Sequence, residues 1–309
     1  MYTQKKEVED VGKFRRFYND QMHGKLMAFE RQRKQLLALM FLGTVLMVLL
    51  TIFVLNLDMF ALSIFLFVPW FLLFRFYQYR ADVFKSGFKP IVVSSLLEFM
   101  DSSLTYYHKD YISKDTFLRS GIFPMNPELY YGEDYIMGKI GEIFFEMCEL
   151  ELYHTDKVKG KLEKWFEGIF FHANFNTAFK GRIVMIPRAD WQLFIPIMKQ
   201  YTKYGGYELT NTGNAMFDEE FIVYLDRDIH YKEILTPELI TAINQYHINS
   251  GKKVYASFYN SHFYMAINEP QNLLEASVWH SNLNFELIAA YYRELTLFTQ
   301  IVKDFDITH

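Results

Sequence analysis

Cysteine is all but missing: Cys148 stands alone among 309 residues, so the chain has no intramolecular disulfide framework, which suits a reducing compartment. Its neighbours Phe145, Met147 and Leu150 predict a buried structural thiol rather than a nucleophile. Catalytic signatures are missing as well. The sequence holds no G-x-S-x-G, H-E-x-x-H or C-x-x-C motif and no nucleotide-binding loop, which weakens an enzyme reading and leaves no cofactor expected. A basic excess is also lacking: 32 Lys and Arg face 36 Asp and Glu, for a formal net charge of −4. A nucleic-acid surface needs a basic stripe to release counterions, so no nucleic-acid partner is expected. Ionisable residues, finally, are absent from two long stretches that organise the rest of the chain.

Leu36–Leu55 is a twenty-residue apolar run, and Met59–Phe74 is a sixteen-residue run containing Pro69. At about 1.5 Å rise per residue the first covers the roughly 30 Å hydrocarbon core of a bilayer. Burial of the second, extended by Phe76, Tyr77 and Tyr79 and by snorkelling of Arg75 and Arg80, predicts a return crossing over 59–76. Inside the runs only Thr44, Thr51 and Ser63 offer polar atoms, so the pair reads as an anchor and not as a pore. Residues 1–35 carry nine Lys and Arg, and Arg75, Arg80, Lys85 and Lys89 follow the second run, whereas the turn between the runs carries only Asp58. The positive-inside rule then places both flanks and both termini in the cytoplasm. The first run follows a long charged segment rather than a short basic n-region, and no small-residue cleavage site follows it, so it is expected to stay in the mature chain.

Charge divides unevenly along the chain. Residues 1–80 hold eleven basic against six acidic side chains, and residues 81–309 hold twenty-one against thirty. Residues 7–35 read as one amphipathic helix, with Val11, Phe14, Tyr18, Met22, Leu26 and Phe29 at spacings of three and four and Gly24 as its weak point. Such a stripe serves either as a coiled-coil or self-association seam, or as a juxtamembrane helix laid on headgroups or packed on the rest of the chain.

Beyond residue 81 the pattern predicts one α+β domain. Ile91, Val92, Leu96, Leu97 and Met100 repeat at helical spacing, and Ser113 caps a short helix that Gly121 ends. Strand signals run at Ile143–Leu152, Trp165–Phe175, Arg182–Ile186, Phe221–Leu225, Val254–Phe258 and Phe263–Ile267, the last two joined as a hairpin through Asn260 and Ser261. Short connections favour an antiparallel sheet. Thr236, Pro237 and Glu238 start a helix that should reach about Ile248, with Leu235 stapled to Ile240, and a last helix is expected over Leu283–Val302. The predicted organisation is a cytoplasmic helix over 1–35, a transmembrane hairpin over 36–80 and a mainly antiparallel β domain with flanking helices over 81–309.

Two groups of residues could carry chemistry. In YYGEDYIMGKIG, Tyr130–Gly141, the glycine spacing fits neither Walker A nor a dinucleotide fingerprint; it reads as a hairpin entry whose glycines give positive φ and close backbone approach. Glu133 and Asp134 within it would form a catalytic carboxylate pair only if the strand bends, because adjacent strand residues face opposite ways. Asp226, Asp228 and His230 alternate and in an extended strand would share one face suited to a divalent metal; the plainer reading is a solvated strand exit. His172, Asn174 and Asn176 in HANFN read as the outward face of a half-buried strand.

The succession of SSLLEFMDSSLTYY, SGIFP, YYGEDYIMGKIG, EGIFFHANFNTAFKGRIVMIP, EEFIVYLDRD, YKEILTPELI and KVYASFYNSHFYMAI after the apolar pair resembles the bacterial membrane proteins grouped as domain-of-unknown-function family 3137, over roughly residues 35–280. The sequence departs from that pattern at Asn174, where the family's Asp is expected, so no acidic role carries over there. The resemblance implies a two-span protein of the bacterial inner membrane with a cytoplasmic β-rich domain, no assigned reaction, and a LemA-type membrane protein as partner. Together these readings favour a non-enzymatic membrane scaffold or regulator that binds protein partners or forms a homo-oligomer. The alternatives are a membrane-associated enzyme using Glu133/Asp134 or the Asp226, Asp228, His230 set, and a lipid-sensing β domain.

Overall fold

The computed structural model describes residues 12–56, 65–101, 103–123, 126–156, 160–269 and 276–308. Along the chain the elements are α1 (Gly12–Asn56), α2 (Phe67–Ser86), α3 (Phe88–Met100), β1 (Thr105–Tyr107), α4 (Lys114–Ser120), β2 (Leu129–Ile140), β3 (Ile143–Asp156), β4 (Lys161–Pro187), α5 (Trp191–Lys203), β5 (Tyr207–Leu209), α6 (Ala215–Glu220), β6 (Phe221–Leu225), α7 (Tyr231–Ile234), α8 (Pro237–Ser250), β7 (Val254–Asn268) and α9 (Phe285–Thr308). The chain forms two compact units, Met1–Met100 with Leu273–Glu294 and Asp101–Asn272 with Leu295–His309. The first unit thus takes in α3 and a late segment that the expected boundary at residue 81 placed elsewhere.

The first unit is helical. α1 runs without a break through Gly24, and its one irregularity is a π turn at Tyr18–Met22. Phe14, Tyr18, Met22 and Leu26 follow one another at four-residue steps, which overrun the 3.6 residues of an α-helical turn; the wider π turn takes up the excess and keeps all four on one face. That face and Phe29 are buried. Phe14 stacks on Tyr292 at 4.3 Å, Phe17 on Phe99 at 4.4 Å and Phe29 on Phe84 at 4.2 Å. The stripe read as a possible coiled-coil seam is therefore covered by helices of its own unit. Behind it, Arg33 donates to both Glu30 carboxylate oxygens and to the Val278 carbonyl, and the Asn282 N–H donates to Glu30.

The apolar half of α1 is the reverse. Among the described residues α1 is the one helix long and apolar enough to cross a membrane, and no residue of its most apolar window is buried. Phe41 and Phe53 are 73% and 61% exposed. The expected two-span hairpin is narrowed accordingly. The second run begins within residues 57–64, which lie outside the described residues, and from Phe67 onward it belongs to α2, which carries Arg75 near its middle and Arg80, Asp82 and Lys85 in its second half. α2 lies antiparallel to α1: Trp70 Nε1 donates to Thr51 Oγ1 at 3.2 Å, and the Tyr77 hydroxyl donates to the Met40 carbonyl at 2.8 Å. Gly43 makes room for that hydroxyl, since a Cβ there would sit 2.2 Å from it.

The second unit is built on an antiparallel sheet in the order β1-β2-β3-β4-β6-β5, with β7 also paired to β4. β7 doubles back at Asn260, which adopts φ 54°. The Asn268 N–H donates to the Lys253 carbonyl at 2.9 Å, and the Phe258 and Phe263 rings stack at 4.7 Å, a spacing that opposed residues of a hairpin have and residues five apart on a straight strand do not. The hairpin expected at Asn260 and Ser261 is thus present. β4, expected as two strands, is continuous and passes around the hairpin: residues 168–174 pair with 262–268, and 182–185 pair with 256–259, with register shifts between. One face carries the core of Cys148, Leu150, Phe166, Phe170, Val184, Ile186, Tyr264 and Ala266, capped by Phe117 of α4.

Local signals were obeyed where they were strong. Ser113 accepts from Thr116 N, and Gly121 closes α4 at φ 60°. Thr236 accepts from Leu239 N to start α8, which runs to Ser250, two residues beyond Ile248, where Gly251 ends it at φ 65°. β1, β5 and α5, with Pro196 inside the helix, are elements beyond those the sequence pattern predicts.

Candidate functional site

The Tyr130–Gly141 motif is strand β2 and its turn. Gly141 adopts φ 58° at the reversal into β3, while a Cβ at Gly132 would meet Tyr111 Cβ at 2.4 Å and one at Gly138 would meet Leu104 Cδ2 at 2.6 Å. Positive φ and close approach, the two roles expected of these glycines, are both present. Between them the β2–β3 register slips after Glu133, and Asp134 takes φ 58°, a β-bulge. The bulge supplies the bend that a Glu133/Asp134 pair requires. It brings their carboxylates and that of Glu149 within 4.8 Å of one another. Asp134 is buried; its N–H donates to the His108 carbonyl at 3.1 Å, the Tyr106 hydroxyl donates to Oδ1, and His108 Nδ1 lies 2.9 Å from the same oxygen. Three carboxylates so placed offer the oxygen ligands that hard cations take. Asp134 nonetheless has a full structural use in fixing the 106–108 segment to the bulge.

Asp226, Asp228 and His230 are not gathered. β6 ends at Leu225 and a turn follows, so the alternation that would have aligned them has no strand to act on. Asp226 Oδ2 accepts from the Arg182 N–H at 2.8 Å, stapling the turn to β4, while Asp228 and His230 are exposed. Cys148 is buried, with Sγ accepting from Ile112 N at 3.3 Å, and burial pushes its thiol pKa up, as a structural thiol requires.

A chain of polar side chains runs across β2, β3, β4 and β7. Tyr135 donates to Glu146 Oε2 at 2.5 Å, Glu146 Oε1 lies 2.8 Å from His172 Nδ1, and His172 Nε2 lies 3.0 Å from His262 Nδ1. Register builds the chain: Glu146 opposes His172 on β4, Asn174 beside it opposes His262, and Tyr264, opposite His172, stacks its ring on the imidazole at 4.8 Å. The His172 and Glu146 side chains are 10% and 15% exposed. His172 therefore does not lie on an outward face as its alternation suggested; Asn174 does, and Asn176 has no described side chain. IFFE over 143–146 and IFFH over 169–172 each set one ionisable residue behind the same apolar triplet. That was the available signal, but only the pairing register unites the two.

Burial by itself would raise the Glu146 carboxyl, but the hydrogen bonds from His172 and Tyr135 outweigh it and hold the group below its ordinary range. Burial, with repulsion from His172 and Arg119, lowers His262. An ionised Glu146 only accepts, so His172 Nδ1 carries a hydrogen, and the His172–His262 bond carries its hydrogen on either nitrogen according to the charge of the pair. The sign of the pH effect follows. Unfolded chain binds more protons at the His262 position than folded chain in the window just below the ordinary histidine pKa, so stability falls as pH drops through it. Denaturant unfolding between pH 7.5 and 5 is expected to show that slope in the parent chain and a flatter one in His262→Gln; equal slopes would remove His262 from the account.

The fold and site together define an α+β protein with a half-buried Tyr–Glu–His–His chain and, among the described residues, one candidate membrane helix. Residues 164–307 match the model of a family described as "Protein of unknown function (DUF3137)", which bears out for this stretch the assignment that the motifs suggested. No curated protein matches the chain. Among solved structures, the mycobacterial trehalose monomycolate transport factor A, TtfA, aligns over 66% of this chain and 92% of its own at 8% identity, with a TM-score of 0.34, a likeness too slight to carry any conclusion.

Proposed function

We propose that the chain is a membrane-anchored, non-enzymatic scaffold or regulator whose sheet unit works on the cytoplasmic side. The observation that carries this reading is the change along α1, one unbroken helix whose first half buries one face against its own unit's helices and whose second half is apolar and wholly unburied. A helix built this way ties any displacement of its membrane half to the helices packed on its first half. The excess of basic residues before and after the apolar runs favours cytoplasmic flanks, with residues 59–76 recrossing the bilayer. The partner is a second copy of the chain or a membrane protein of LemA type. The surfaces used then lie outside the buried Phe14–Phe29 stripe, which is already covered.

The test combines topology with assembly. In a Cys148→Ser background, a single cysteine placed at Asp58 is expected to react with an impermeant maleimide on intact cells, and one placed at Lys252 only after permeabilisation. Labelling of the second from outside, or release of the parent chain by alkaline carbonate, sinks the anchor reading. Mass measurement in mild detergent addresses the scaffold: a strict monomer that retains no protein partner counts against it.

A further inference from the structure

At the foot of the α1–α2 pair, within the first unit, lies a cavity of about 360 Å³, open on one side. Its volume is at the lower end of small-ligand sites, roughly 300–1,000 Å³. The lining is mixed. Gln32, Gln35 and Arg80 supply its polar groups and Leu36, Leu39 and Val83 apolar wall, over a floor that includes the buried rings of Phe29 and Phe84. No acidic residue lines it, so Arg80 is its only charge. Among the described residues Arg80 has no hydrogen-bond or ion-pair partner, whereas Arg75 on the same helix donates to Gln78 at 3.2 Å. The cavity lies where the sequence changes character, since Leu36 opens the apolar run, Gln32 and Gln35 precede it, and Arg80, one turn beyond the Tyr77 that bonds the Met40 carbonyl, stands level with that start.

A ligand that fits must carry an anionic, hydrogen-bonding head and an apolar continuation, and it must approach at the level where a bilayer's headgroups give way to chains. We propose that this cavity holds the headgroup of an anionic phospholipid from the cytoplasmic leaflet, with the Arg80 guanidinium on the phosphate, the Gln32 and Gln35 amides on the remaining headgroup oxygens, and an acyl chain leaving past Leu36 and Leu39 along the exposed apolar surface of α1. The site is too small for a whole lipid, so only the head and upper chain are enclosed. Guanidinium binds phosphate through paired, charge-assisted hydrogen bonds, and with no acidic residue in the lining a choline ammonium would find no counter-charge beside Arg80, which gives the site its preference for an anionic over a zwitterionic head. This inference rests on the anchor reading, because without a bilayer at Leu36 the lipid would have no leaflet to come from.

The full chain, purified in mild detergent and exchanged into nanodiscs of phosphatidylcholine alone or mixed with phosphatidylglycerol, is analysed by native mass spectrometry for lipid that survives ejection. Retained phosphatidylglycerol is expected to exceed phosphatidylcholine, and Arg80→Gln to lower that retention about tenfold, the effect of losing one hydrogen-bonded charged contact. Arg75→Gln, outside the lining, is expected to leave it unchanged and so reports on general attraction between basic helices and acidic lipid. Leu39→Trp, which fills the space beside the apolar wall, is expected to lower retention with every charge in place. Equal retention of the two lipids by the parent chain, retention unchanged in Arg80→Gln, or an equal loss in Arg75→Gln overturns the proposal. Those outcomes leave the anchor reading intact when the chain still resists carbonate extraction, whereas a chain freed by carbonate fails both.

Discussion

Gly168→Ala is expected to cost the sheet unit about 3 kcal/mol or more, the upper end of what overpacking does. A methyl group there would lie 2.0 Å from the Ile267 carbonyl oxygen and 2.6 Å from the Glu269 nitrogen. Both are backbone atoms. Gly168 opposes Leu150 on β3 and Asn268 on β7, so β4 is held from both sides and cannot step away from either neighbour. The Glu269 N–H also donates to the Glu167 carbonyl at 2.8 Å, so a shift that relieves the clash breaks a hydrogen bond next to it. Against a domain's ordinary net stability of about 5–15 kcal/mol, a loss of this size lowers the denaturant midpoint by a large fraction. Gly132→Ala makes the comparison. Its added methyl would meet Tyr111 side-chain atoms at 2.4 Å and 2.6 Å and Leu150 Cδ2 at 2.9 Å, and side chains yield more readily than backbone, so a smaller loss of about 1–2 kcal/mol is expected. Urea unfolding of the detergent-solubilised chain, followed by near-UV circular dichroism, measures both. A Gly168→Ala chain with an unchanged midpoint would show that β4 and β7 are not held as closely as described.

Gly168 also marks where reading the sequence stopped. Capping boxes, helix-ending glycines and the Asn260 turn act over three or four residues, and the chain states them directly. Register is different. It joins Glu146 to His172 across 26 positions, as helix packing joins Phe14 to Tyr292 across 278. Alternation in HANFN separates two faces of a strand without saying that His172's face is closed by β7 and by Tyr264 stacked on the imidazole. In the same way, the four-residue steps from Phe14 to Leu26 announce a buried stripe, but periodicity carries nothing about what buries it. Neighbours on a strand face apart, so the sequence makes a Glu133/Asp134 pair conditional on a bend, and the bulge that supplies it is specified by pairing with β3. Asp226, Asp228 and His230 failed for the opposite reason: alternation was extended past the residue where β6 stops.

The second large effect is expected at Glu146, where one carboxylate satisfies two donors. In Glu146→Leu the Tyr135 hydroxyl and the His172 Nδ1–H lose their acceptor while remaining under the same cover, at about 1–3 kcal/mol for each orphaned group. A total loss of about 2–5 kcal/mol follows, reduced by whatever the leucine gains in apolar burial. Glu146→Gln keeps one carbonyl oxygen but turns the other position into a donor facing a donor, so an intermediate loss is expected. Removing His172 as well separates a connected chain from a set of independent contacts. In Glu146→Leu/His172→Phe the orphaned imidazole is gone, and the double variant is expected to lose less than the sum of the two single losses by more than about 0.5 kcal/mol. The dependence on pH carries a sign of its own. Glu146 titrates below its ordinary range in the folded chain, so its contribution is present above the unfolded carboxylate pKa and is lost as pH falls through the folded value. The gap in stability between parent and Glu146→Leu should therefore be widest near neutrality and close in acid. Additive losses, or a gap that does not narrow in acid, would mean that Tyr135, Glu146, His172 and His262 lie side by side without acting together.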